Sequence, residues 1–304
     1  MVERRCGTVL SSVGGTYRVF SNGETLDASL RGRMKRGRVK RVLVGDEVLL
    51  HAHGNGSVTI EEVAERRTVL QRRTPGQSRS VSPIAANLDQ VIVVGAADQP
   101  RWDAHLMDRF LVVAETNHLP AVVVVNKADL VGDAASLGEP YSAVGYDVII
   151  TSVPHVVGIE PLRCKLANRV SLFTGSSGVG KSTLLNMLQP CLQLRVAEVS
   201  RQSGAGRHTT TATEMHSLKD GGFLVDTPGL RDVGLWGVMP EELAAAFPEF
   251  ASVIPHCRFN NCRHGEEPDC AVVAAADRGE ISCARLDSYR KLLAETVQAM
   301  KHWE

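Results

Sequence analysis

The sequence predicts a multidomain α/β protein in three parts: a small antiparallel barrel, a parallel-sheet domain and a helical tail built on a Cys/His cluster. Short strand-like runs separated by Gly and Asn turns fill residues 1–68. From about residue 88, continuous β-branched runs alternate with helical stretches. After about residue 239 the strands stop, and Cys257, Cys262, His264 and Cys270 crowd ahead of a final helix over roughly 282–303. A chain of 304 residues has the length of two to three domains.

In the first part, the runs G-T-V-L, T-Y-R-V-F, V-L-V-G-D-E-V-L-L and S-V-T-I-E-E-V are punctuated by Gly14-Gly15, Asn22-Gly23 and Asn55-Gly56. Several short strands in so few residues point to a five-strand barrel of the OB type. Residues 1–75 carry 14 Lys/Arg against 8 Asp/Glu in a chain whose formal net charge is zero. A basic first domain in a neutral chain favours a polyanionic partner at that end. Arg31 to Arg41 places seven basic residues in eleven, a density that suits a loop laid along phosphates, with a solvated charged loop as the alternative. Only Tyr17 and Phe20 are aromatic in this region, so backbone contact with structured RNA fits better than base stacking.

The composition narrows the class further. An apolar fraction of 43% is enough for real cores. No apolar run reaches the roughly 18–20 residues that span a bilayer, and Arg4 and Arg5 have no apolar segment behind them of the kind a signal peptide needs. Seven cysteines are an odd number, three of them within 257–270, which favours a reduced cytoplasmic protein with a metal site over a disulfide framework.

In the second part, D-Q-V-I-V-V-G, A-V-V-V-V-N, V-I-I-T-S, V-S-L-F-T-G and F-L-V-D-T read as parallel strands covered on both faces. Gly175-Ser176-Ser177-Gly178-Val179-Gly180-Lys181-Ser182 fits G-x-x-x-x-G-K-[ST], with a strand before it and a helix over Ser182 to Gln189 after it. Glycines let backbone N–H groups curl around phosphate oxygens, and the helix N-terminus faces the same anion. Lys181 would reach the β/γ-phosphates and Ser182 would ligate Mg²⁺. Asp226-Thr227-Pro228-Gly229 ends another strand, where Asp226 can hold Mg²⁺ through water and the Gly229 N–H can face a γ-phosphate. Asn126-Lys127-Ala128-Asp129 also closes a strand. An Asp carboxylate there accepts both N1–H and N2–H₂ of guanine, which adenine does not offer, while Lys127 lays its stem along the base. Thr151-Ser152 follows the next strand, where a backbone N–H can meet guanine O6. The base-reading motif precedes the phosphate loop, the reverse of the usual order.

Gly204 to Thr211 (G-A-G-R-H-T-T-T) reads as a switch loop whose threonines, Thr210 among them, offer hydroxyls to Mg²⁺ and the γ-phosphate. A plain Gly/Thr-rich connection is the alternative. Leu230 stands after Gly229, where many GTPases place a water-orienting Gln, and His208 is the nearest imidazole that can take that role or serve a structural one. In the third part, C-x₄-C-x-H-x₅-C makes a closed tetrahedral Zn²⁺ set from Cys257, Cys262, His264 and Cys270, with Cys283 and His256 as substitute ligands. Such a site would hold together a region with little apolar core. Cys6, Cys164, Cys191 and Cys283 lack the spacing and read as core residues.

Taken in order, N-K-A-D, T-S, G-S-S-G-V-G-K-S-T-L-L-N, G-R-H-T-T-T, D-T-P-G-L-R-D-V-G-L-W and C-R-F-N-N-C-R-H-G-E-E-P-D-C resemble the circularly permuted GTPases of the RsgA/YjeQ family over nearly the whole chain. The resemblance implies an OB-fold RNA-binding domain over 1–68, a circularly permuted P-loop GTPase domain over 69–238 and a zinc-binding domain over 239–304. It implies guanine recognition by Asn126, Lys127 and Asp129, phosphate binding by Gly175 to Thr183, and zinc ligation by the Cys₃His set. It also implies GTP hydrolysis stimulated by the 30S subunit, with 16S rRNA as partner, in a cytoplasmic monomer away from membranes. The basic N-terminal extension of some members is lacking, and Ala205 stands where the family has a basic or polar residue. Rival expectations are an RNA-binding or chaperone module, a membrane or metal-trafficking G protein, and a P-loop ATPase. Since D-T-P-G now runs directly into the tail, nucleotide state is expected to move 239–304 relative to the GTPase domain.

Overall fold

The computed structural model describes residues 4–32, 41–54, 56–73, 81–190, 213–226, 238–265 and 267–301. Strands β1 (Arg4–Val13), β2 (Thr16–Ser21), β3 (Glu24–Leu30), β4 (Glu47–Ala52) and β5 (Val58–Val63) close into a barrel in the order β1-β2-β3-β5-β4. Two-residue turns at Gly14-Gly15 and Asn22-Gly23 set the first two hairpins. Val9, Val19, Ala28, Val48, Leu50 and Ile60 alternate inward and fill it. The run expected as one strand over 42–50 is divided: strand begins only at Glu47, while Val42 still packs in the barrel core and Val44 and Gly45 turn toward the next domain. That departure builds the seam to the next domain. Ala86 N–H donates to Val44 O at 2.9 Å, and Asn87 Nδ2 donates to Gly45 O at 2.9 Å. Gly45 has φ +89, and a Cβ there would lie 2.0 Å from Ala86 O, so only glycine permits the approach. Arg66 pairs with the fully buried Asp46 at 2.7 Å.

A hairpin of β6 (Val69–Arg73) and β7 (Val81–Ala86) joins barrel to sheet. The sheet contains β8 (Gln90–Ala96), β9 (Ala121–Asn126), β10 (Asp147–Ile150), β11 (Val170–Thr174), β12 (Glu214–Ser217) and β13 (Phe223–Asp226), in the order β10-β9-β8-β11-β13-β12. All neighbours are parallel except β12, which runs antiparallel at the edge. Helices α1 (Ala104–Thr116), α2 (Ala135–Ser142), α3 (Ile159–Leu166) and α4 (Lys181–Leu188) cover it. Two cores result, one on each face: Val91, Val93, Val123 and Leu172 pack against α1, while Ile92, Val94, Val124 and Phe173 pack against α3 and α4. Every residue of β8 is buried, which is why Val91 to Ala96 form an unbroken apolar run, while the buried Gln90 amide donates to Lys165 O and Ser171 Oγ.

The tail holds α5 (Pro240–Leu243), short 3-10 turns, α6 (Ala271–Asp277) and α7 (Cys283–Lys301). It contains more core than its spacing suggested. Phe247, Phe250 and Tyr289 meet pairwise with centroids 5.1–5.3 Å apart, packed with Leu243, Val272 and Leu292. Cys6, Cys164 and Cys283 are exposed rather than core, and Cys191 lies outside the described residues. The tail docks on α1. Arg285 of α7 is 3% exposed, donates to Glu249 at 2.7 and 3.0 Å, and pairs with Asp108 of α1. Arg109 and His105 of α1 meet Glu295 at 2.5 and 3.1 Å. Among the described residues no helix is long and apolar enough to cross a membrane.

Candidate functional site: a nucleotide cleft and a Cys/His cluster

Parallel strands bring their C-terminal ends to one edge, so loops distant in sequence converge there. Ala96 lies beside Asn126, Ile150 beside Val125, and Phe173 beside Asp226. Gly175 leaves β11 at φ +142, and a Cβ on it would sit 2.1 Å from Val94 O. Gly180 is the left-handed N-cap of α4, and its Cβ would fall 2.4 Å from Asn126 Nδ2. The glycines of 175–180 therefore pack backbone directly on the neighbouring strand and on N-K-A-D. Lys181 Nζ donates to Gly175 O and Ser176 O at 2.7 Å, so its ammonium lies over the loop. Ser176, Gly178 and Ser182 are half-buried, while Ser177 and Thr183 face solvent.

Asn126 is 2% exposed and acts as a brace. Its Nδ2 donates to Val179 O at 2.8 Å, and its Oδ1 accepts from the Thr151 hydroxyl at 2.9 Å. One amide thus ties together N-K-A-D, the phosphate loop and the T-S turn. Lys127 adopts φ +57 and its Nζ donates to Gln99 O. Asp129 is exposed and accepts from Ser152 Oγ at 2.6 Å. That hydrogen bond, with His155 and Lys127 nearby, holds its carboxyl below the ordinary Asp value, so it is an ionised acceptor. Ala128 N–H donates to Thr151 O at 3.1 Å, joining the two base-side loops. Ser152 is itself paired with Val157 through both backbone groups, at 3.1 and 3.0 Å. Thr227, Pro228, Gly229, His208 and Thr210 lie outside the described residues, and Asp226 is the last described residue of its motif. The partners Gln99 O and Val179 O are backbone carbonyls, which leave no side-chain signature in the sequence.

At the other end, the ligand atoms of Cys257, Cys262, His264 and Cys270 all lie within 4.8 Å of one another. His264 Nδ1 is 3.6 Å from Cys257 Sγ and 3.5 Å from Cys270 Sγ. A tetrahedral Zn²⁺ with Zn–S of ~2.3 Å and Zn–N of ~2.0 Å would set such an N···S edge at about 3.5 Å. The donor set and its spacing therefore fit zinc. Desolvation and the neighbouring Cys270 push the Cys262 thiol up to about 12, so a cation is what would ionise it. Helix α7 steadies the loop, since Tyr289 OH donates to Arg263 O at 2.7 Å and Arg290 donates to Gly265 O at 2.9 Å. Cys283 Sγ instead faces Ala276 O at 3.8 Å, outside the cluster.

Comparison with known proteins agrees with this arrangement. The model of the RsgA GTPase family matches residues 63–236, and that of the RsgA N-terminal domain matches 6–60. The small ribosomal subunit biogenesis GTPase RsgA of Gemmatimonas aurantiaca is 44% identical, with 98% of this chain and 99% of that protein covered. The protein of the same name from Moorella thermoacetica is 42% identical, covering 96% and 97%. Among solved structures, YjeQ from Thermotoga maritima superposes with a TM-score of 0.80 at 34% identity, over 97% of this chain and 99% of that one. YloQ, described as a circularly permuted GTPase, gives 0.76 at 29% identity, covering 97% and 96%.

Proposed function

The chain belongs to the RsgA family of GTPases, and from that premise we propose that it binds the 30S ribosomal subunit, assists its late maturation and hydrolyses GTP to time its release. The observation that carries the reading is the Asn126 amide bonded to Val179 O, 53 residues away. It supports reading N-K-A-D and the phosphate loop as one cleft despite their reversed order. The division of labour we propose follows the three parts: 1–68 for RNA, 69–238 for GTP and 239–304 for zinc.

In this reading Asp129 accepts the guanine N1–H and N2–H₂, Ser152 holds that carboxylate, and Lys127 covers the base face. Gly175 to Thr183 cradle the phosphates, with Lys181 neutralising charge that develops on the transferred group. Ser182, Thr210 and Asp226 would hold Mg²⁺, which supplies Lewis-acid stabilisation of the phosphate oxygens when bound. Attack by water on the γ-phosphorus breaks its bond to the β–γ bridging oxygen and yields GDP and phosphate. Because Leu230 cannot orient water, His208 is assigned that task. The Cys₃His set would hold one structural Zn²⁺. The partner is the small subunit through 16S rRNA, and the chain works as a cytoplasmic monomer.

Two measurements test this. GTP turnover should rise when purified 30S subunits are added, and a flat response would reject the ribosomal assignment while leaving the GTPase intact. Asp129→Asn should transfer preference from GTP to XTP, because the amide now donates to the xanthine 2-oxo group. Retained GTP preference would reject the base-reading role.

A further inference from the structure

The stretch between β8 and α1, which supplies the Gln99 carbonyl to Lys127, touches the base-reading motif twice. Ala97 N–H donates to Asn126 O at 2.7 Å, and Gln99 O accepts from the Lys127 ammonium. Three residues past Gln99, the Trp102 indole lies against the backbone of Gly95, where a Cβ would come within 2.5 Å of Cζ3. Trp102 also meets Tyr141 edge to face, with centroids 6.0 Å apart and planes at 70°. Tyr141 also meets the Arg285 guanidinium of the tail, 5.6 Å from its ring centroid. Asp103 then caps α1 through Leu106 N–H at 3.0 Å. Contacts therefore run from α7 through the Tyr141 ring to Trp102, which lies three residues along the chain from the carbonyl that receives Lys127.

A lysine stem has four rotatable bonds, and holding it in one pose as a shelf for a base costs about 2 kcal/mol of rotamer freedom. An acceptor fixed before the ligand arrives removes that cost from binding. Gln99 O serves this purpose only while residues 97–101 are immobile, and Trp102, seated on Gly95, is the bulky side chain that pins them. We propose that Trp102 is a positioning residue for guanine recognition, and that Arg285 couples the C-terminal domain to the nucleotide through Tyr141 and Trp102. The inference rests on the reading of N-K-A-D as the guanine site. It places the coupling at the base end of the cleft and not at the γ-phosphate. By linkage, a partner that shifts α7 changes nucleotide affinity, and nucleotide changes the affinity for that partner by the same factor.

The test is a double-mutant cycle in the full chain, read as Kd for GDP by calorimetry. Trp102→Phe should raise Kd about 3- to 10-fold, and in a Lys127→Met background it should have almost no further effect, because it acts through that lysine. Arg285→Met should raise Kd in the wild-type chain and lose its effect in the Trp102→Phe background. Gly95→Ala displaces the ring without removing it and should shift Kd the same way as Trp102→Phe, with thermal melts confirming that each variant is folded. Independent, multiplying effects of Trp102→Phe and Lys127→Met, or an unchanged Kd in folded Trp102→Phe, would overturn the proposal alone. An unchanged Kd in Lys127→Met would overturn the guanine-site reading, and the proposal with it.

Discussion

Replacing Arg285 with Met tests how the C-terminal domain is fastened to the GTPase domain. The guanidinium, 3% exposed, faces Asp108 of α1 at 1% and Glu249 at 6%. It also lies 4.6 Å from the Phe247 ring centroid. Methionine fills much of the volume but leaves two buried carboxylates without this cation, and removing one partner of a buried ion pair costs about 3–5 kcal/mol. The loss should depend on pH. Burial already raises the Asp108 pKa despite Arg285, with Glu249 on the 3-10 turn adding to the shift. Without Arg285 it rises further. A carboxyl with a raised folded-state pKa binds more protons in the folded chain, so its contribution is fully present below the unfolded pKa and is lost as pH rises through the folded one. Arg285→Met should therefore be most destabilising near pH 8 and less so near pH 5, by up to about 1.4 kcal/mol for each unit of further shift. Urea titrations followed by far-UV circular dichroism, with the wild-type chain at both pH values, remove shared contributions such as His105. A loss below about 1 kcal/mol, within the range of surface substitutions, or an equal loss at both pH values would refute the reasoning.

Three further outcomes follow from the same geometry. Asn126→Ala strands the buried Val179 carbonyl and the Thr151 hydroxyl, which costs about 1–3 kcal/mol and should weaken GDP binding roughly 10- to 100-fold; calorimetry that finds unchanged affinity would contradict the bracing role. Gly45→Ala places a Cβ 2.0 Å from Ala86 O at φ +89. The backbone strain alone is of order 1–3 kcal/mol, so limited proteolysis should cut between barrel and sheet faster than in the wild-type chain. Cys262→Ser should bring zinc content, measured by atomic emission, well below one ion per chain, and retention of a full equivalent would refute the ligand set.

What could be read from the chain divides by the range of the interaction involved. Continuous apolar runs such as V-I-V-V-G-A were legible because a strand buried on both faces is filled mostly by apolar side chains. The Cys₃His cluster was legible because its four members are close in sequence. The β6–β7 hairpin was not, since V-L-Q-R-R and V-S-P-I-A-A show neither clean alternation nor a continuous apolar run, and Pro83 argues against a strand. Asn126 was legible as a motif residue but not as a brace, because its acceptor is a main-chain carbonyl. Arg285 gave no signal at all, as Asp108 lies 177 residues away. The aromatic core of the tail was hidden for the same reason, being assembled from Phe247, Phe250 and Tyr289.

The antiparallel strand β12 ends the sheet, and β1 of the barrel lies alongside it. Leu10 and Phe20 of the barrel pack with Met215 and Phe223, the two phenylalanine rings 5.5 Å apart edge to face. A strand paired on one side only offers a row of free amides and carbonyls to any passing chain. The first domain is therefore expected to shield this edge of the second from other chains, apart from any partner it engages. A chain shortened to begin at the sheet should form concentration-dependent aggregates, and adding the barrel back in one piece should keep it in solution.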